Sequence, residues 1–441
     1  MLSQFQQHIN KNFSQFGNQK IGIAISGGVD SVVLAHLCLQ SGYAITLLHC
    51  NFQLRGDASN GDQAFVKHLA NYWEAPFITT EFNTKAYLEM HKVSTQVGAR
   101  ELRYNWFEKV AQLYLLDTIA TAHHSDDNLE TFLINLSRGT GLEGLTGIPE
   151  INGLYVRPLL PFSKEQVLAY AKQNKLQWRE DASNADAKYL RNKLRLNVIP
   201  LLKEIQPQMV SNFNTTISYL QKSQAVVESY TQSFKNSFFE KEGTISGFKI
   251  SIEALKKEAH SELILFEILK EFNFNAWTDI IALREAQSGK KVLSNTHVLL
   301  KDRDYLLLYP ITKKEEKEFF VLDVEATIKL SDFEELFFNN ITSEEKETIT
   351  VNKHKITFPL IVRKIKEGDY FYPQGMQGKK KVSKYFKDEK FSIPQKENTW
   401  ILCNGDNEVI WVIGYRADRR FIAINEIQDI LKIRYKKEHH K

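Results

Sequence analysis

The first two hundred residues alternate short apolar runs with longer amphipathic stretches. Residues 21–25 (Ile-Gly-Ile-Ala-Ile) are continuous and β-branched, the pattern of a strand buried on both faces, and apolar helix formers over 32–39 follow at once. A second strand is expected over 44–50, then a helix over 62–72 with Phe65, Val66 and Leu69 on one side. A short strand at 77–79, a helix over 98–114 and a strand over 116–122 continue the alternation. Strands alternating with helices imply a parallel sheet with crossover helices, and ligands then lie at the carboxyl ends of the strands. Ser163 with Gln166 three residues on is a capping-box pattern and opens a helix over 163–176.

Beyond residue 205 the rhythm changes. Residues 211–241 read as one long helix and 252–272 as further helix, whereas 348–365 and 400–421 carry β-type runs such as Ile410-Trp411-Val412-Ile413. The charged stretch 313–318 reads as a surface connection. The expected architecture is therefore an α/β parallel-sheet domain over 1–205, a helical middle domain over 206–345 and a small β-rich or α+β domain over 346–441. A length of 441 residues fits that division, since domains average about 150 residues.

Between the first strand and the first helix lies Ser26-Gly27-Gly28-Val29-Asp30-Ser31. Adjacent glycines let the backbone turn with φ > 0 and leave no Cβ in a ligand's way, so successive N–H groups and the helix N-terminus can converge on anionic oxygens. The motif is neither GxxxxGK[ST] nor GxGxxG, which excludes the lysine-bearing loop of kinases and GTPases and the dinucleotide fingerprint.

Three polar clusters fall near the expected strand ends. In His123-His124-Ser125-Asp126-Asp127-Asn128-Leu129-Glu130, a helix starting near Ser125 puts Asp127 and Glu130 on one face, with His123 pointing into the same cleft. Two carboxylates fixed close together suit an ammonium group or a divalent cation; the plainer reading is acidic residues complementing a helix dipole. Arg100 and Arg103 share a face of the 98–114 helix, with Leu102 and Trp106 available to anchor the other, and paired guanidinium groups suit phosphate oxygens. Lys188, Arg191 and Arg195 form a basic stripe opposite an apolar face of Leu190, Leu194 and Val198. Such a stripe suits a polyanionic substrate or is simply a solvated face.

Composition adds exclusions. Hydrophobic residues at 43% and charged residues at 25% are those of an ordinary soluble protein, no apolar run reaches 18 residues, and the start is polar, so a cytoplasmic protein with no membrane partner is expected. Three cysteines without CxxC spacing, Cys38, Cys50 and Cys403, argue against disulfide, zinc or iron–sulfur sites and read as buried small hydrophobes. No motif marks a protein metal site. A net charge of +4 does not diagnose nucleic-acid binding; clustering must. Near the C-terminus Lys379, Lys380, Lys381 and Lys384, then Arg416, Arg419 and Arg420, interleave with Tyr385, Phe386 and Tyr415. Such a mixture suits an RNA backbone; the aromatics are assigned to the core and the cations to phosphate contact.

The SGGVDS motif in strand-turn-helix context resembles the pyrophosphate loop of N-type ATP pyrophosphatases. Together with GARELRYNWF, HHSDDNLETFLINLSRGTGLEGLTGI, RPLL and EDASNADAKYLRNKLR it occurs in the order found in the tRNA(Ile)-lysidine synthetase family, and the match spans most of 20–200. Residues 368–386 resemble that family's tRNA-contacting C-terminal domain, while 206–350 matches only in order and length. The resemblance implies a ligase that joins free L-lysine to C2 of the wobble cytidine of a CAU anticodon in tRNA(Ile). The base is adenylated first, and pyrophosphate and then AMP are released.

It further implies that Ser26, Gly27, Gly28, Val29, Asp30 and Ser31 hold the departing pyrophosphate, with Asp30 positioning ATP or its Mg2+. Asp127 and Glu130 would bind the ammonium groups of lysine, with Asp127 preferred to Asp126 for its spacing. His123 would line the nucleotide or lysine pocket, and Arg100 and Arg103 would stabilise phosphate charge or contact the cytidine. Lys188, Arg191, Arg195, Lys379, Lys380, Lys381, Arg419 and Arg420 would contact tRNA. Two alternatives stay open: a thiolating or amidating enzyme of the same nucleotide-binding class, and a non-catalytic RNA-binding protein on the same scaffold. Sequence does not choose between a monomer and a homodimer.

Overall fold

The structure is a computed structural model that describes residues 1–180, 190–242, 247–311, 318–321, 326–331, 334–338, 347–423 and 429–437. The chain divides into two compact units, Met1–Val227 and Glu228–Lys441.

In the first unit, helices α1 (Leu2–Asn12), α2 (Val29–Gln40), α3 (Asp57–Tyr72), α4 (Thr84–His91), α5 (Thr95–Tyr114), α6 (Ser125–Ser137), α7 (Leu142–Leu145) and α8 (Lys164–Gln173) surround one sheet. Its strands are β1 (Ile21–Ala24), β2 (Ile45–Asn51), β3 (Phe77–Glu81), β4 (Thr118–Ala120), β5 (Ile151–Asn152) and β6 (Tyr155–Val156), ordered β3-β2-β1-β4-β6-β5. All pairings are parallel except β5 with β6. The chain runs outward from β1 to β3 and then returns to place β4 on the other side of β1. That reversal opens a crevice at the carboxyl ends of β1 and β4, where ligands of open α/β sheets bind.

The core explains why β1 is central. Ile21 and Ile23 are almost fully buried, Val32, Val33, Leu34 and Leu37 of α2 pack on the same cluster, and Phe5, Ile9, Phe13 and Phe16 close it from the N-terminus. Gly22 leaves room for its neighbours: a Cβ there would stand 2.8 Å from Leu48 Cδ1 and 3.0 Å from Leu116 Cδ1, so these side chains would have to shift. The alternation expected from sequence is present, with shifted bounds. α2 begins at Val29 because Gly28 serves as its N-cap, and α3 begins at Asp57. α5 is anchored by Phe107, Val110 and Ala111; of the two expected anchors, Trp106 packs half-buried beside them and Leu102 does not join the cluster. The Ser163 capping box forms as expected, with Ser163 Oγ accepting from Gln166 N at 3.2 Å and Gln166 Oε1 accepting from Ser163 N at 2.9 Å.

Residues Met209–Phe238 form one helix, and helical turns at Ile252–Lys257, Ser261–Leu269 and Trp277–Leu283 make the middle region helical. The middle also carries a five-stranded antiparallel sheet that the sequence reading did not assign, centred on the hairpin of His297–Asp302 and Tyr305–Pro310. Its signal was two apolar runs separated by Arg303-Asp304, with Arg303 at φ 53°. The C-terminal part holds two four-stranded antiparallel sheets with short helices at Val382–Asp388 and Ile393–Asn398. Of the stretch expected as a surface connection, 313–317 lies outside the described residues.

Candidate active site

Ser26–Ser31 sit where β1 gives way to α2, at the crevice. Gly27 adopts φ +93°, a conformation that disfavours a side chain. The turn is self-braced: Ser31 Oγ donates to Gly28 O at 2.9 Å, lies 3.2 Å from Ser26 Oγ, and accepts from Ser26 N at 3.2 Å. Arg179 N donates to Gly27 O at 2.9 Å, laying the 177–180 segment across the loop.

A cavity of about 260 Å³ opens beside this turn, lined by Ser26, Gly28, Asp30 and Ser31 and by Arg100, Arg103 and His123. Leu48, Cys50, Phe52 and Tyr104 supply its less polar walls. α5 holds the two arginines, with the Arg100 guanidinium 4.7 Å from the Tyr104 ring centre and that of Arg103 5.3 Å from Phe52. Phosphate loop, paired guanidinium groups and His123 thus meet in one crevice. Burial pushes the Cys50 thiol up to about 12, so it is protonated and inert at neutral pH.

The second centre is the N-terminus of α6. Asp127 Oδ2 accepts the His124 backbone N–H at 3.1 Å, while Oδ1 accepts from Arg195 Nη2 at 2.9 Å. Glu130, with its side chain 1% exposed, accepts from Arg191 Nε and Arg195 Nε at 2.6 Å each. Asp126 turns elsewhere, to the Lys164 backbone N–H at 2.8 Å and to the Lys203 ammonium. Asp127 and Glu130 are therefore the carboxylates that share a face, and Asp126 is committed to the start of α8 and to Lys203. His124 connects the two centres, with Nε2 3.4 Å from Asp127 and 3.8 Å from Asp30.

The electrostatics follow from these neighbours. Burial pushes the Asp127 carboxyl up, but His124, His123 and Arg191 together outweigh it and leave it below the usual carboxylate range. Burial also drives His123 down to about 4, helped by Arg157, Arg191 and His124 and opposed by Asp127. His123 is thus neutral at pH 7, with Nδ1 3.0 Å from Thr121 Oγ1.

The basic stripe is corrected by the structure. Leu190 is 47% and Val198 38% exposed, so the assigned apolar face is not the buried one. Arg191 and Arg195 instead turn toward α6, bonding the Asp127 and Glu130 carboxylates while staying 41% and 37% exposed. Lys188 lies outside the described residues. Sequence reading also missed Lys164, whose Nζ donates to both Asp30 oxygens at 2.6 and 2.8 Å, and Lys203. Both partnerships span long sequence separations that no local pattern encodes.

In the second unit, Lys379 Nζ lies 3.4 Å from the Tyr370 ring centre, Lys381 is exposed, and Lys380 pairs with Asp388 at 2.8 Å. Arg419 is exposed, whereas Arg420 is tied to fully buried Asp418 at 2.9 Å and to Glu408 at 2.8 Å. Tyr385 and Phe386 are core residues as expected; Tyr415, assigned to the core, is 41% exposed because it follows the tight turn at Gly414.

A glycine turn at the carboxyl end of a central parallel strand, facing paired arginines, is the arrangement expected of the PP-loop class. A family model described as "PP-loop domain" matches residues 1–202. Models described as "TilS substrate binding domain" and "TilS substrate C-terminal domain" match 244–311 and 360–433. The tRNA(Ile)-lysidine synthase of Parabacteroides distasonis is 39% identical, covering 99% of this chain and 100% of that protein. Those of Bacteroides thetaiotaomicron, at 38%, and Porphyromonas gingivalis, at 35%, each cover 94% of this chain and 95% and 93% of their own lengths. The chain belongs to the tRNA(Ile)-lysidine synthase family, and is an ATP-dependent ligase of tRNA modification.

Proposed function

We propose that this enzyme joins free L-lysine to C2 of the wobble cytidine in the CAU anticodon of tRNA(Ile), through an adenylated cytidine, so that the tRNA reads AUA in place of AUG. The observation that carries this reading is the placement of a cation-binding carboxylate pair beside a phosphate loop, with one imidazole, His124, in reach of both. Asp127 and Glu130 already hold two organic cations, Arg191 and Arg195, and their oxygens only accept hydrogen bonds. Lysine would enter by taking over one such position, its amine directed at the base. Arg100 and Arg103 would bear on phosphate or cytidine from the other wall.

Ser26 to Ser31 would hold the pyrophosphate as it leaves. Among the described residues no group of three or more His, Cys, Asp or Glu side chains is arranged to hold a metal. Mg2+ needs no such cage, because it travels with the triphosphate and takes one or two carboxylates. Asp30, on the cavity wall, fits that part, and the ion would supply charge neutralisation at the phosphate oxygens.

We assign catalysis to residues 1–205, a linking role to 206–345 and tRNA backbone contact to 346–441. Lys379, Lys381 and Arg419 are the best placed of the cations there. Lys380, Arg420, Arg191 and Arg195 would have to exchange a carboxylate for a phosphate. The enzyme would work in the cytoplasm.

The test is direct. The full-length protein is incubated with labelled lysine, ATP and tRNA transcripts bearing CAU or a changed anticodon. Label in the CAU transcript alone, with AMP and pyrophosphate released, is expected; ATP cleavage with no lysine in RNA would refute the proposal.

A further inference from the structure

A phosphate loop with an aspartate in its first helical turn poses an electrostatic problem. Asp30 lines the cavity at the N-terminus of α2, where a triphosphate would also sit, and SGGVDS contains no cation to offset it. The structure brings one in from 134 residues away: Lys164 Nζ bonds both carboxylate oxygens of Asp30, at 2.6 and 2.8 Å.

Lys164 is well placed to change partners. It is the first residue of α8, inside the Ser163–Gln166 capping box, and its main-chain N–H is held by Asp126 at 2.8 Å. The backbone is thereby fixed on two sides while the flexible four-carbon stem remains free to turn. The Lys164 side chain is 34% exposed and that of Asp30, which lines the cavity, 30%, so the ammonium is solvent-accessible and one bond away from a wall residue of the crevice.

We propose that Lys164 is the phosphate-recognising cation of this loop, cancelling the charge of Asp30 in the free enzyme and donating to the β- and γ-phosphate oxygens of ATP, and so to the leaving pyrophosphate. It supplies from α8 the charge that other phosphate loops carry within their motif. The inference deepens the proposed function and rests on it for ATP as substrate.

The test uses full-length protein and titration calorimetry in EDTA with ATP, AMP and inorganic pyrophosphate as separate ligands. Lys164→Gln is expected to weaken ATP and pyrophosphate about tenfold or more, the worth of a charge-assisted bond, with AMP changed by less than about twofold. Lys164→Arg keeps most of the wild-type affinity. Asp30→Asn, which releases the ammonium, is expected to tighten pyrophosphate binding, and Asp30→Asn/Lys164→Gln to lose that gain. Thermal midpoints close to wild type verify that the variants are folded. Undiminished preference for ATP over AMP in Lys164→Gln, or equal weakening of both, would overturn the assignment. If wild type discriminates ATP from AMP through Lys164 yet transfers no lysine, this inference stands and the proposed reaction falls. If wild type binds ATP neither in EDTA nor with Mg2+, both fall.

Discussion

If Asp127 binds lysine as proposed, substituting it should separate lysine recognition from everything else the α6 terminus does. Its two oxygens have different tasks: Oδ2 caps the helix through the His124 N–H, and Oδ1 faces Arg195 and, on the proposed reading, the ammonium of lysine. Asp127→Asn keeps an acceptor for the cap and removes the charge. Arg195 retains two bonds to Glu130, at 2.6 and 3.0 Å, so the wall of the site remains in place. A charge-assisted bond contributes about 1.5–3 kcal/mol, which is about ten- to a hundredfold in affinity. The Michaelis constant for lysine should rise by that factor while that for ATP moves by less than about threefold. Asp127→Ala also removes the cap and should add about 1 kcal/mol of destabilisation, visible as a lower urea midpoint. Lysine and ATP are varied separately in a tRNA lysine-transfer assay. An unchanged lysine requirement, or an ATP requirement that rises as much, would refute the assignment.

Other consequences are more local. Glu130→Gln weakens the partners of two arginines that are 41% and 37% exposed, so water softens the loss; about 1–3 kcal/mol of stability should go, measured by urea unfolding. His123 titrates at about 4 instead of 6.5, so the unfolded chain gains a proton in that interval that the folded one refuses. Its contribution is present above 6.5 and is lost as the pH falls toward 4. His123→Gln should flatten that slope by up to about 3 kcal/mol, and parallel pH profiles of unfolding would contradict this. Arg363 and Asp369, 3% and 10% exposed at the side chain, form a two-bond pair that braces the segment before Tyr370; Arg363→Ala should cost about 3–5 kcal/mol and lower the thermal midpoint. Replacing Lys379, Lys381 and Arg419 by Gln should weaken tRNA binding and reduce its salt slope by about 2, and an unaltered slope would remove these residues from the interface.

Much of the first unit was legible because its strands are apolar runs with helices between them, and that rhythm depends only on nearby residues. Ile21 and Ile23 announce a buried strand whatever their partners are. Sheet order is different in kind: nothing local in β4 says that it pairs with β1 instead of β3. The C-terminal part was readable only as β-rich, because its strands pair across long separations. Glu334–Phe338 pairs with Ile430–Lys437, for example. This also rules out a simple deletion from residue 348 as a test of tRNA binding, since it would strip a partner strand from a sheet. Point substitutions of exposed cations leave the sheets intact.

The site was legible where chemistry resides in contiguous residues, and illegible where charges meet from afar. SGGVDS and the Asp127/Glu130 spacing are each contained in one turn, so the motif itself specifies the geometry. Whether a charge in such a motif is available depends on what reaches it. Asp30 carries Lys164, Asp126 carries Lys203, and Glu130 carries two arginines, all from segments at least thirty residues distant. Long stems on Lys and Arg make these partnerships reversible, because the backbone can stay put while the head group changes partner. On the proposed reading each anionic or cationic ligand would enter by exchange: phosphate for Asp30 on Lys164, ammonium for guanidinium on Asp127 and Glu130. A crevice organised this way holds its charges neutral when empty and bonded when full, which is why substitution of the exchanging cation should separate phosphate affinity from fold stability.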